Sequence, residues 1–145
     1  MTENQDYVFY KSATMLNSKQ PMQNVDVCLV STRNYVFYVP KKTVGTFVVL
    51  NTIKTHKFFE GVSIEDGVKN IISNSESVES LEKSLIALLE DDEKYVHRIE
   101  DKKSFKFKGF IGNHTLRMST GGMNWSSVLP KGRGNSKGFR TFHGQ

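Results

Sequence analysis

One cysteine, one tryptophan and three prolines occur among 145 residues, and alanine stands only at Ala13 and Ala87. Cys28 cannot close an internal disulfide, and zinc sites of the CxxC type need several thiolates at fixed spacing, so both are excluded. A lone cysteine in a run such as VDVCLV reads as a small buried apolar residue on a strand, and a reducing compartment is the default. The scarcity of alanine, against an abundance of Val, Ile, Phe and Tyr, argues for strands over an all-helical bundle. No run approaches the ~18 apolar residues of a membrane-spanning helix. The opening MTENQD has neither the basic nor the apolar part of a secretory signal. A soluble, cytoplasmic chain without a transmembrane segment is expected. The length suits about one domain, and Leu, Ile, Val and Phe together exceed the ~20% below which chains stay disordered.

Acid is the other shortage: no Asp or Glu follows Asp101. The net charge of +5 therefore conceals segments of +4 over residues 1–59, −8 over 60–101 and +9 over 102–145. Such segregation creates a local field that draws phosphates, carboxylates or an acidic partner to the basic end. The acidic middle of the same chain is one such partner.

Residues 7–10 (YVFY), 25–30 (VDVCLV), 35–39 (YVFYV) and 43–50 (TVGTFVVL) are short β-branched and aromatic runs that read as strands. The polar residues 31–34 join the second to the third as an antiparallel hairpin, and Pro40 ends the third. Ser63 with Asp66 forms a capping-box-like start to a short helix carrying Ile64, Val68, Ile71 and Ile72 on one face. Val78, Leu81, Leu85, Leu88, Leu89 and Val96 trace the apolar stripe of a longer helix. The run Glu90-Asp91-Asp92-Glu93 suits a helix C-terminus badly, because the macrodipole is negative there. Lys94, His97 and Arg98 would complement it, so the pattern predicts a helix reaching about His97.

From Lys103 the period becomes two. With Gly112-Asn113 as the whole turn, Lys108 would stand opposite Arg117 and Phe107 opposite Met118. One face would carry Phe105, Phe107, Leu116 and Met118, and the other Lys106, Lys108 and Arg117 with Phe110 beside them. Like charges across a ladder destabilise, so this face either splays into water or meets an anion. Gly121-Gly122 break the pattern, Trp125, Val128 and Leu129 form a last packed patch, and residues 130–145 read as a basic, glycine-rich tail that is flexible or ordered by a ligand. The expected architecture is a single α+β domain over residues 1–129: a mainly antiparallel curved sheet or partly open barrel, with two helices inserted between strand groups.

The chemistry-bearing residues are dispersed. His56, His97, His114 and His143 occur singly, with no HExxH spacing. There is no GxSxG turn for a nucleophilic serine. The acidic run at residues 90–93 lacks the central glycine of a calcium loop, and Gly132-Arg133-Gly134-Asn135-Ser136-Lys137-Gly138 lacks the order of a Walker loop. No catalytic residue, metal ligand or cofactor is assigned. An enzyme reading would require Glu100, Arg117 and His114 or His143 to converge in one cleft. What remains is a basic region interleaved with aromatics: Lys106, Lys108, Arg117, Lys131, Arg133, Lys137 and Arg140, with Phe110, Trp125, Phe139 and Phe142. These residue types bind an acidic protein or anionic ligand. Nucleic acid is the alternative partner, with charge for phosphates and rings for stacking. Lys137-Gly138-Phe139-Arg140-Thr141-Phe142 also faintly echoes the aromatic RNA-binding strand of the RRM module.

Two stretches carry a resemblance. Residues 27–42 (VCLVSTRNYVFYVPKK) join an apolar strand, a Thr/basic turn and an aromatic strand ending in a basic run. Residues 99–108 (IEDKKSFKFK), followed by Gly112 and Leu116, look like a later strand pair. Together they resemble small bacterial domains with a pleckstrin-homology-like or GRAM-like barrel, which implies a binding scaffold without catalysis and names no ligand. Two departures stand against that pattern: such domains usually close one barrel end with a C-terminal helix, where this chain has its basic tail, and the strong helices here lie between strand groups.

Overall fold

A computed structural model describes residues 6–18, 25–41, 63–110, 113–121 and 124–145. Seven strands form one antiparallel sheet: β1 (Tyr7–Asn17), β2 (Val25–Thr32), β3 (Tyr35–Pro40), β4 (Val96–Arg98), β5 (Ser104–Phe110), β6 (Asn113–Gly121) and β7 (Asn124–Pro130). Helices α1 (Ile64–Asn74) and α2 (Val78–Leu88) lie between β3 and β4, and α3 (Asn135–Phe142) follows β7. The strand order is β4-β3-β2-β1-β7-β6-β5, so β1 is central, paired with β2 on one edge and with β7 on the other. The fold is α+β, with the sheet curled into a half-barrel. No helix among the described residues is long and apolar enough to cross a membrane.

Cross-strand partners share a face. Val27, Leu29, Ser31, Val36, Tyr38 and Pro40 therefore line one side of β2–β3, and Cys28, Val30, Thr32, Phe37 and Val39 the other. Both sides are covered, so burial along these strands is almost continuous and does not alternate. Helix α1 packs against β2, and Thr32 Oγ1 of β2 lies 2.5 Å from Glu82 Oε2 of α2. On the concave side, Phe107, Leu116, Val128, Met15 and Val25 stand in one row across five strands. Helix α3 contacts β1, β6 and β7 there. The curl is measured by Tyr38 on β3, whose hydroxyl reaches Ser126 Oγ on β7 at 3.0 Å, across the two intervening strands β2 and β1. A register irregularity in β1 between Tyr10 and Ala13 supplies local bending.

Both helix starts follow from serine caps. Ser63 Oγ accepts the Asp66 N–H at 3.1 Å, and Ser77 Oγ accepts the Ser80 N–H at 3.1 Å. Helix α2 stops at Leu88 and does not reach His97. Glu90 and Asp91 take left-handed backbone angles (φ 57° and 52°), and Val96, the last residue of the expected helical stripe, instead pairs with Phe37 in the sheet. The chain leaves the helix at Glu90 and Asp91, and the Asp91 carboxylate meets Arg98 at 3.0 Å. Residues 43–50, read as a strand, lie outside the described residues.

The largest difference from expectation is at the C-terminal end. Residues 135–142 form an amphipathic helix whose Ser136, Phe139 and Phe142 are buried. Phe139 is 0% exposed and meets Tyr10 edge-on at 5.9 Å and Phe107 at 5.1 Å. The segment is therefore packed core and not a flexible tail, because one apolar face at helical spacing finds the concave side of the sheet uncovered.

Candidate functional site

The outer face of β5–β6–β7 gathers part of the basic set. Phe110 pairs with Asn113, so the hairpin register differs by two from the expected one: Lys106, not Lys108, stands directly opposite Arg117, and Phe107 opposes Leu116. A slip of two preserves the faces. Phe105 and Phe107 remain inward with buried Leu116 and Met118, while Lys106, Lys108 and Arg117 remain exposed. The Arg117 guanidinium lies over the Trp125 ring, 4.8 Å from its centroid, a contact that fixes its direction and covers one face of the indole. Among the described residues, no carboxylate lies at ion-pair distance from Lys106, Lys108 or Arg117.

The remaining cations are divided. Arg133, Lys137 and Arg140 are exposed around and along α3. Lys131 instead stands 3.5 Å from Asp26, which also accepts the Ser12 hydroxyl at 2.9 Å and has Lys41 at 3.7 Å. Burial raises the Asp26 pKa, but the Ser12 hydrogen bond and the two lysines outweigh it and hold it below its usual value. Lys41 bridges onward to Glu65 at 3.1 Å. Phe139 and Phe142, read as surface aromatics for a partner, are core residues and are removed from that role.

A second cluster joins the β2–β3 turn to α3. The Arg33 guanidinium donates to the Phe142 carbonyl and lies 3.9 Å over the Phe142 ring. His143 is surrounded by Phe105, Phe107, Phe139 and Phe142. Burial first, and Arg33 second, push its pKa down to about 4.

A cleft of about 110 Å³ opens where the β6–β7 hairpin approaches the turn after α2. His97, 4% exposed, stands in its wall beside Lys102, and Tyr38 packs on the imidazole at 4.7 Å between ring centres. Burial and the Lys102 charge push the His97 pKa down to about 3 against the opposing pull of the Lys94 carbonyl. Burial also lowers the Lys102 pKa, which Asp101 and Glu93 only partly offset.

The grouping needed for an enzyme is not assembled. Glu100 is exposed on the turn Ile99–Asp101, Arg117 rests on Trp125, and His143 is enclosed by phenylalanines. The His114 backbone N–H donates to Ser136 Oγ at 3.1 Å, and none of these four residues lines the cleft. Among the described residues, no three His, Cys, Asp or Glu side chains group as metal ligands. Cys28 is buried, and burial pushes its thiol up to about 12, far from thiolate reactivity at neutral pH.

Comparison of the chain with known protein families, curated proteins and solved structures finds no match in any of the three. The fold alone assigns a class: an α+β protein built on a curled antiparallel sheet.

Proposed function

We propose that the chain is a non-enzymatic, cytoplasmic binding module that presents the outer face of β5–β6–β7, with the exposed cations of α3, to an acidic protein segment or other anionic ligand. One observation carries the reading: Lys106 and Arg117 face each other in register, exposed, with no carboxylate of the described chain to neutralise them. Two like charges across a ladder are a standing cost that an anion between them removes. The resemblance to pleckstrin-homology-like domains points the same way. A packed C-terminal helix is what such domains usually have, so α3 lifts one of the two departures from their pattern.

The nucleic-acid alternative draws on the Arg117–Trp125 pair, which offers charge and a ring side by side. Fluorescence anisotropy with a labelled oligoglutamate and with a single-stranded oligonucleotide of equal charge, at about 50 mM salt, separates the readings. The expected result is tighter binding of the peptide, weakened at least about tenfold in K106Q/R117Q, which corresponds to about 1.4 kcal/mol. Tighter binding of the oligonucleotide favours the alternative, and equal affinities of wild type and variant overturn the role of this face.

A further inference from the structure

Strand β5 is one end of the sheet: β6 pairs with one of its edges, and no strand of the described residues pairs with the other. The direction of its backbone groups follows from the register. Phe110 and Asn113 are the closing pair of the β5–β6 hairpin, with two residues between them, and such a pair exchanges both hydrogen bonds. Bonded and non-bonded pairs then alternate. Lys108 and Lys106 therefore bond to Thr115 and Arg117, while Phe105 and Phe107 turn their N–H and C=O groups off the edge. An independent contact agrees: the Gln145 side-chain amide donates to the Phe105 carbonyl oxygen at 3.3 Å, from outside the ladder. This edge already takes an amide N–H, the group that an added strand would bring.

Side chains decide which strand fits. On an antiparallel neighbour, residues opposite Lys106 and Lys108 lie on the outer face of the sheet, and residues opposite Phe105 and Phe107 on the inner one. Lys106 and Lys108 are exposed, with no carboxylate of the described chain at ion-pair distance, and Phe105 and Phe107 are half-buried. A second copy is a poor occupant, because β5 against β5 with the faces kept sets lysine opposite lysine. Edge lysines refuse basic and uncharged strands in this way, and they favour an acidic one. We propose that an acidic, extended segment of a partner protein adds to β5 as an antiparallel strand, with carboxylates opposite Lys106 and Lys108 and apolar residues opposite Phe105 and Phe107. Such binding rests on the role given above to the outer face of β5–β6–β7. It adds main-chain hydrogen bonds, which supply affinity, to the charge and side-chain pattern that selects the sequence.

In that geometry the apolar residues of the partner exchange hydrogen bonds with Phe105 and Phe107, and its acidic residues point their N–H groups to solvent. Labelled peptides of alternating Glu and Val are titrated into the full wild-type chain by fluorescence anisotropy at about 50 mM salt: one unmodified, one N-methylated at every Val and one N-methylated at every Glu, with oligoglutamate beside them. The three alternating peptides carry the same charge. Methylation at Val should weaken binding at least about tenfold, as the loss of two hydrogen bonds of about 0.5–1.5 kcal/mol each implies. Methylation at Glu should change it by less than about twofold, and oligoglutamate should bind more weakly than the unmodified peptide. The Phe107 amide proton should exchange more slowly with the unmodified peptide bound. Equal affinity for all three alternating peptides overturns strand addition and leaves the charged role of the face intact. A loss on Glu methylation instead overturns the antiparallel direction, since parallel pairing would use those amides. Unchanged exchange at Phe107 overturns the site. Absence of binding by every peptide, oligoglutamate included, removes the role of the face and the added strand with it.

Discussion

Ser31 Oγ and His143 Nε2 lie 2.8 Å apart and tie the β2–β3 turn to the end of α3. The same hydroxyl stands 3.0 Å from the carbonyl oxygens of Thr32 and Tyr35, and its one proton goes to these. His143 is thus the donor, neutral and protonated at Nε2. Adding a second proton would place a cation among phenylalanines and beside Arg33.

Acid should therefore undock this end of the molecule. The folded-state pKa of His143, about 4, lies below the ~6.5 of an unfolded histidine, so protonation favours the unfolded chain. The stabilisation is complete above about pH 6.5 and is lost as pH falls toward about 4, at about 1.4 kcal/mol per unit of displacement. Thermal melts across that window should show a shallower slope for H143Q than for wild type. His97 maintains a residual slope down to about pH 3 in both. Parallel slopes would remove His143 from this account.

Thr32 and Glu82 offer a test of buried polar satisfaction. Thr32 Oγ1 donates to Glu82 and accepts the backbone N–H groups of Asn34 at 3.2 Å and Tyr35 at 3.0 Å. T32V should cost about 1–3 kcal/mol in urea unfolding, because a buried carboxylate loses its donor. Adding E82L should recover part of that loss, since the stranded acceptor is gone. A double variant no more stable than T32V would show that the turn amides, and not the carboxylate, set the cost.

Phe139 separates a core helix from an appended tail. F139A should lose about 3–5 kcal/mol, as for other buried aromatic truncations. K137A and R140A, exposed on the opposite face, should stay within about 0.5 kcal/mol. A loss below about 1 kcal/mol for F139A would contradict the packing described for α3.

Much of this was legible from local pattern, and the failures have physical causes. The strands at Val25 and Tyr35 announce themselves because β-branched and aromatic residues run unbroken where a sheet is buried on both faces. The faces of β5 and β6 survive a mistaken turn because a slip of two leaves side-chain direction unchanged. The apolar spacing alone extends α2 too far, because Val96 continues the helical stripe by coincidence and its sheet partner Phe37 is distant in sequence. In α3, Ser136, Phe139 and Phe142 do mark one helical face, but Gly134, Gly138 and the density of cations read more strongly as loop. The cleft had no local signal, since β1, the turn after α2, β4, β6 and β7 each contribute to it.

Glu90 marks where local conformation costs stability. A non-glycine residue in the left-handed region costs roughly 1 kcal/mol or more, so E90G should raise the urea midpoint by an amount worth up to about 1 kcal/mol. A lower midpoint would show that the Glu90 side chain contributes more than its backbone costs.

The position of β1 governs how the molecule is reached. The meander from Tyr7 to Pro40 closes through neighbours in sequence, whereas the other edge of β1 waits for β7, as in the pairs Ala13–Pro130 and Asn17–Ser126. Pairings so distant along the chain form late, because loop closure precedes any gain from contact. During that delay the central strand is a bare edge, open to the strand of another chain. Refolding is thus a race between β7 and a second molecule, and its yield falls as the chain is concentrated.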